Sequence, residues 1–198
     1  MKRVCVPLLF LLVLSLAKPV AGADKDVYMI GIHANHNAVE AFGEMGLYLQ
    51  PSTMYFGANG LYYENRYAML GVHAMIGNVV HRGLTGKIGF KGVAGELKRS
   101  GNDNPDILAL AFSISGSYNL SDVIVTHYVP VILHATLSIS PKPLSFDDTE
   151  LFLETVLGVD WMILENAAIT GSFRYLYIDF DDLDRSHGSG YLGFKFVF

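Results

Sequence analysis

Seven histidines are present, and two stretches set histidine beside other reactive side-chain types. In HANHN (33–37), His33 and His36 stand three apart, a spacing at which two imidazoles can reach one metal ion. A closed site needs further ligands, and neither cysteine nor a carboxylate cluster adjoins them, so the stretch reads as a polar turn. In DFDDLDRSHG (179–188), Ser186 and His187 follow Asp182 and Asp184. These are the nucleophile, base and acid types of a hydrolase, but such groups are normally assembled from separate elements. The same carboxylates suit a divalent cation, yet the glycine and terminal glutamate of a calcium loop are missing. The stretch reads as a solvated acidic loop, and His73 and His134 as interior histidines with partners. The expectation is no catalytic residue, no metal and no cofactor. An enzyme acting on lipid or peptide at an outer rim is the alternative.

The elements that would position these groups are strands. In VEAFGEMGLYLQ (39–50), Val39, Ala41, Gly43, Met45, Leu47 and Leu49 share one phase, opposite Glu40, Phe42, Glu44, Tyr48 and Gln50. Alternation with period two marks a strand with one apolar face. The pattern recurs in GLTGKIGFKGVAG (83–95), ELFLETVLGVDWM (150–162) and AAITGSFRYLYID (167–179). Strands are expected near 26–33, 37–49, 53–64, 67–78, 83–97, 106–118, 122–138, 149–162, 167–180 and 189–198. Many exceed the ~5–6 residues usual in soluble sheets and match the roughly 9–11 that a tilted strand needs to cross a bilayer. Short connectors (50–53, 77–83, 119–122, 164–166) contrast with longer polar ones (98–106, 140–150, 179–188).

Lipid offers no partner to backbone N–H and C=O groups, so a sheet in a bilayer must close on itself. The expected fold is therefore all-β: a closed antiparallel transmembrane barrel of about ten strands, with eight as the alternative. Its apolar phase faces lipid. The other phase places Glu40, Glu44, Asn59, His73, Lys87, Lys91, His134, Glu154, Asp160, Arg174 and Lys195 in the lumen. Mixed signs there imply an ion-pair network in a narrow, side-chain-filled interior. A soluble lipocalin-like barrel would reverse the two faces. Against it stand the aromatics at both strand ends: Trp161 and Tyr118 at one, and Tyr62, Tyr63, Tyr175 and Tyr177 at the other.

Lys2 and Arg3, the apolar run Val4–Ala17, Pro19 and the small residues Ala21-Gly22-Ala23 before Asp24 match a secretory signal peptide over 1–23. The run is shorter than the roughly 20 residues of a spanning helix. The single cysteine, Cys5, lies inside it, so residues 24–198, read as one barrel domain, hold no disulfide and no thiol chemistry. A net charge of −5 argues against nucleic acid as a partner. Hydrophobic residues make up 51 % and charged ones only 17 %, so apolar surface must be spread over many strands.

SPKPLSFDDTELFLETVLGVDW (140–161), GSFRYLYIDF (171–180) and GSGYLGFKFVF (188–198) resemble the YfaZ family of Gram-negative outer-membrane β-barrel proteins. Ser140, Pro141 and Leu144, then Phe173-Arg174-Tyr175, recur in order. The resemblance implies an exported envelope barrel and brings no catalytic residues with it. Leu192, Phe194, Phe196 and Phe198 resemble the C-terminal signal read by the barrel assembly machinery. The expected partners are thus outer-membrane lipid, lipopolysaccharide and that machinery, with both termini in the periplasm. The expected role is structural or interactive, with a narrow porin-like pore for small solutes as the alternative.

Overall fold

The alternation is realised as long paired strands in a computed structural model that describes residues 26–98, 105–124, 130–180 and 183–198. These form β1 (Val27–Ala34), β2 (Ala38–Leu49), β3 (Ser52–Tyr63), β4 (Tyr67–His81), β5 (Leu84–Leu97), β6 (Asp106–Asn119), β7 (Val131–Ser140), β8 (Ser145–Phe146), β9 (Thr149–Leu164), β10 (Ala167–Phe180) and β11 (Leu183–Val197). Neighbours pair antiparallel, and β1 meets β11 from Met29↔Val197 to Ala34↔Leu192. β5 also pairs with β6, so ten wall strands close into a barrel, and the two-residue β8 lies against β6. The expected leader, 1–23, lies outside the described residues.

The even strand count puts the start of β1 and the end of β11 at one end, here called the near rim. The turns after β2, β4 and β9 lie there too, while the turns after β1 and β3 lie at the far rim. Asn35 fastens the first of the far turns. Its Oδ1 accepts from the backbone N–H of Asn37 and Ala38, each at 2.8 Å, and its Nδ2 donates to Ser189 Oγ at 2.7 Å. The turn between β1 and β2 is thereby tied to β11, across the seam that closes the barrel.

The outer face carries a broad apolar band. Val72, Ile76, Phe90, Phe112, Leu137, Leu157, Phe173 and Phe194 are all exposed there, and Phe90 and Phe112 meet edge to face with centroids 6.0 Å apart. Trp161, at 60 % exposure, stands on this face towards the near rim, and Tyr62 and Tyr175 towards the far rim. Tyr63 departs from the expected aromatic band. It follows Tyr62 on the same strand, so the pleat turns it inward, where it is buried.

The wall departs from the expected strands in two places. β7 begins at Val131, not near 122, because Asn119 starts a 3-10 turn over Leu120–Asp122 by accepting from the Ser121 N–H, and because Pro130 has no N–H to donate to a ladder. At the far rim, the expected loop over 179–188 is a hairpin: β10 runs to Phe180 and β11 starts at Leu183. Continuous pairing from Phe173↔Gly190 to Phe180↔Leu183 carries the strands through the acidic stretch. Leu176, Ile178 and Phe180 turn inward, while Asp179 and Asp184 sit opposite one another as a cross-strand pair.

Because β7 ends at Ser140, the far half of β6, paired with β5 on one side, would be left without a neighbour on the other. β8 pairs with Leu108 and Ala109, and Thr149 completes the patch. Its Oγ1 accepts from the Leu108 N–H at 3.3 Å and donates to the Asp106 carbonyl at 3.2 Å. The Asp106 N–H donates to Asp148 Oδ2 at 3.1 Å. An unpatched edge here would leave backbone groups unpaired, at a cost of roughly 1–3 kcal/mol for each one buried.

Candidate functional site

The lumen has two parts. Its far half is packed by inward side chains, among them Leu61, Tyr63, Tyr67, Ile107, Phe152, Ile178 and Tyr191, which form one buried cluster. Phe152 is 0 % exposed. Apolar residues thus fill the end of the lumen where a polar lining was expected. Towards the middle and the near rim the lumen turns ionic.

The middle is a chain of contacts that crosses the barrel. Asn59 Nδ2 on β3 donates to Glu40 Oε1 on β2 at 3.0 Å, and Arg174 Nη2 on β10 donates to the same oxygen at 2.6 Å. Arg174 Nε lies 3.3 Å from Glu154 Oε1 on β9, and the other oxygen of Glu154 pairs with Lys91 Nζ on β5. Glu40, Glu154 and Arg174 are all buried. A buried charge without a partner would cost several kcal/mol, and here each carboxylate meets at least one cation.

Two further clusters lie towards the near rim. Glu44 accepts from His73 Nε2 at 3.0 Å and from Lys87 Nζ at 2.5 Å, and the same ammonium sits 3.6 Å above the Tyr55 ring. Asp160 pairs with Lys195 and has His134 Nδ1 at 3.4 Å. The eleven polar residues expected in the lumen therefore fall into one crossing chain and two satellites. Glu40, Asn59, Lys91, Glu154 and Arg174 make up the chain. Glu44, His73 and Lys87 form one satellite, and His134, Asp160 and Lys195 the other.

His33 belongs to the interior as well, and the turn reading of HANHN missed it. It lies on β1, buried, with Nδ1 3.6 Å from Glu40 Oε2 and its ring tilted on Phe42 with centroids 4.7 Å apart. His36, in the turn itself, is exposed. Three of the inward histidines share a device: each faces a cross-strand glycine, His33 to Gly193, His73 to Gly57 and His134 to Gly158. A Cβ on Gly57 would stand 2.4 Å from His73 Cε1, and one on Gly158 2.2 Å from His134 Nε2. Only a bare backbone leaves room for the imidazole. The sequence reading also passed over the hydroxyl pairs that join β6 to β7, Ser113 to Ser138 at 2.6 Å and Ser115 to Thr136 at 2.9 Å.

Catalytic geometry does not form around Ser186 and His187. As neighbours on β11 they face opposite sides. His187 turns inward onto Tyr63, edge to face at 4.7 Å, and its Nδ1 is 3.2 Å from Arg66 Nη1. Asp182 lies outside the described residues. No group of three or more His, Cys, Asp or Glu side chains suited to a metal occurs among the described residues. Leu192, Phe194, Phe196 and Phe198 all project outward and are exposed.

A closed antiparallel barrel with an apolar exterior and charges held inside has the fold of an outer-membrane β-barrel, porin-like in form. No family model and no curated protein matches the chain. Three solved structures match the chain at low identity. A porin refined at 1.8 Å is 14 % identical, with 89 % of this chain aligned to 60 % of that one and a TM-score of 0.37. The NanC porin is 11 % identical, with 87 % aligned to 99 % and a TM-score of 0.44. Ail, the attachment invasion locus protein of Yersinia pestis, is 13 % identical, with 89 % aligned to 100 % and a TM-score of 0.26. This chain therefore spans 60 % of the length of the first porin.

Proposed function

We propose that this protein is an integral barrel of the Gram-negative outer membrane, of the YfaZ kind. In this reading it is exported by a leader over 1–23 and serves the envelope through its wall and rims rather than as a pore or an enzyme. The observation that carries this reading is how the lumen is filled. The far half is filled by the cluster around Phe152, and the middle is bridged by Glu40, Arg174, Glu154 and Lys91. Solute would have to displace packed apolar side chains and then break buried ion pairs. The exposed apolar band supports residence in lipid, because monomeric soluble proteins rarely expose apolar patches beyond a few hundred Å². The outward stripe of Leu192, Phe194, Phe196 and Phe198 is the surface offered to lipid and, before insertion, to the assembly machinery.

Planar-bilayer recording of the refolded protein tests the seal. The expected result is a quiet membrane with no stepwise openings. Steady single-channel steps that scale with salt would overturn it and establish the pore reading.

A further inference from the structure

Among the described residues every base of the lumen meets an acid, but three bases at the far rim do not. Arg66, in the turn after β3, Lys98, just past β5, and Arg185, on β11, line one cavity of about 360 Å³ together with Tyr67 and His187. Among the described residues none of the three cations lies within ion-pair distance of a carboxylate. Neutral groups hold two of them in place. The Arg66 guanidinium stacks over Tyr63 at 5.4 Å and donates to His187 Nδ1. The Lys98 ammonium lies 4.5 Å from the Tyr62 ring centroid and 3.3 Å from its hydroxyl. The backbone joins the two, since the Lys98 N–H donates to the Arg66 carbonyl at 2.6 Å.

This arrangement has a chemical consequence. Aromatic rings and a neutral imidazole orient a cation without cancelling its charge, so the full positive potential remains for a ligand. Arginine is always a donor, so His187 must accept through Nδ1 and carry its proton on Nε2. That N–H is buried and has no hydrogen-bond partner. The rim thus presents the Arg66 fork and the Arg185 guanidinium at a cavity of the size that holds small ligands, with the Lys98 ammonium at its outer edge over the outward-facing Tyr62.

We propose that the far-rim cavity is an anion site for a phosphate monoester carried on a sugar-sized group. Two sources fit: the headgroup of a phosphorylated glycolipid in the surrounding leaflet, or a soluble sugar phosphate. A doubly charged phosphate meets several cations at once, and Arg and Lys together supply both the forked and the point-charge contacts it favours. The site does not depend on the sealed-lumen reading, because it lies at the mouth and would bind whether or not the lumen conducts.

The test is calorimetric titration of the full chain, refolded in a non-ionic detergent, with N-acetylglucosamine 1-phosphate. N-acetylglucosamine and glucuronate serve as controls. Binding is expected for the phosphate alone, weakening as salt rises from about 50 to about 500 mM because exposed charges are screened. Arg66→Gln combined with Lys98→Gln should weaken it at least about tenfold, and Arg185→Gln to a smaller degree. Both variants should keep the heat-dependent gel migration of the folded barrel, since these side chains lie at the rim. A second arm presents a phosphorylated glycolipid in mixed micelles. Much tighter binding there than to the soluble sugar assigns the lipid source, and equal binding assigns the solute. Absence of phosphate-dependent binding, equal binding of glucuronate, or binding indifferent to the Arg66/Lys98 double variant would overturn the proposal.

Discussion

Arg174 of β10 and Glu40 of β2 stand 134 positions apart in the chain, yet their side chains meet inside the barrel at 2.6 Å. The contact joins the two sides of the closing seam, because β1 and β11 lie between β2 and β10 in the wall. Arg174 also faces Glu154, so one guanidinium serves two buried acids. Arg174→Gln should therefore leave Glu40 and Glu154 short of charge and lower stability by about 3–5 kcal/mol, read by urea unfolding in lipid vesicles. Replacing Arg174 by Met together with Glu40→Gln, which leaves Glu154 its pair with Lys91, should recover much of that loss. If the double variant is weaker than Arg174→Gln alone, the charges are not acting on one another.

The glycine opposite a lumen histidine makes a sharper test of packing. Gly158→Ala should push the His134 ring away from Asp160 and cost about 1–3 kcal/mol, the usual range for overpacking. The same change in a His134→Ala background should cost much less, with a coupling of about 1 kcal/mol or more between the two sites. Additive losses would mean that the space at Gly158 is not occupied by the ring.

Depth along the outer face should decide tolerance to charge. Val72 lies mid-strand and Val79 near the near rim, and both are exposed. In lipid, Val72→Arg should cost about 2–4 kcal/mol and Val79→Arg about 0–1 kcal/mol. A soluble barrel would tolerate both equally, because each side chain would already be in water. Vesicle-based unfolding of the two variants separates the cases.

Thr149 closes the gap left by short β7, so Thr149→Val should release the Leu108 N–H and the Asp106 carbonyl. A loss of about 1–3 kcal/mol is expected, with faster hydrogen exchange at the Leu108 amide than at Ile114, further along the same strand, where β7 lies beside it. Unchanged exchange at Leu108 would show that β8 alone holds the edge.

The barrel was legible in the sequence because lipid-facing strands carry a simple code. One phase must be apolar, so Glu40, Glu44, Lys87, Lys91, Glu154, Asp160, Arg174 and Lys195 had only the lumen left to them. Which acid meets which base was not legible, since contacts such as Lys91 with Glu154 depend on closure and strand tilt. His33 was hidden because HANHN has the composition of a turn, and only the last part of it is one. The acidic hairpin around Asp179 and Asp184 resembled a loop because charged residues on a strand that rises past the apolar band carry no phase signal. The apolar filling of the far lumen was partly visible in Leu176 and Ile178, which interrupt an otherwise polar inner phase.

The patch formed by β8 and Thr149 bears on how this barrel tolerates foreign sequence. The connector 141–148 is in effect a piece of wall, with β8 inside it doing the pairing that a longer β7 would have done. A peptide inserted there would open a slot beside Leu108. The turn at Glu64–Arg66 is bonded to both neighbours, its Glu64 N–H donating to the Asn37 carbonyl and its Arg66 carbonyl accepting from the Lys98 N–H, and the β1–β2 turn is committed to the seam through Asn35. Among the described far-rim connections, grafting for surface display should therefore be placed beyond the Phe180↔Leu183 pair, where the β10–β11 pairing stays in place.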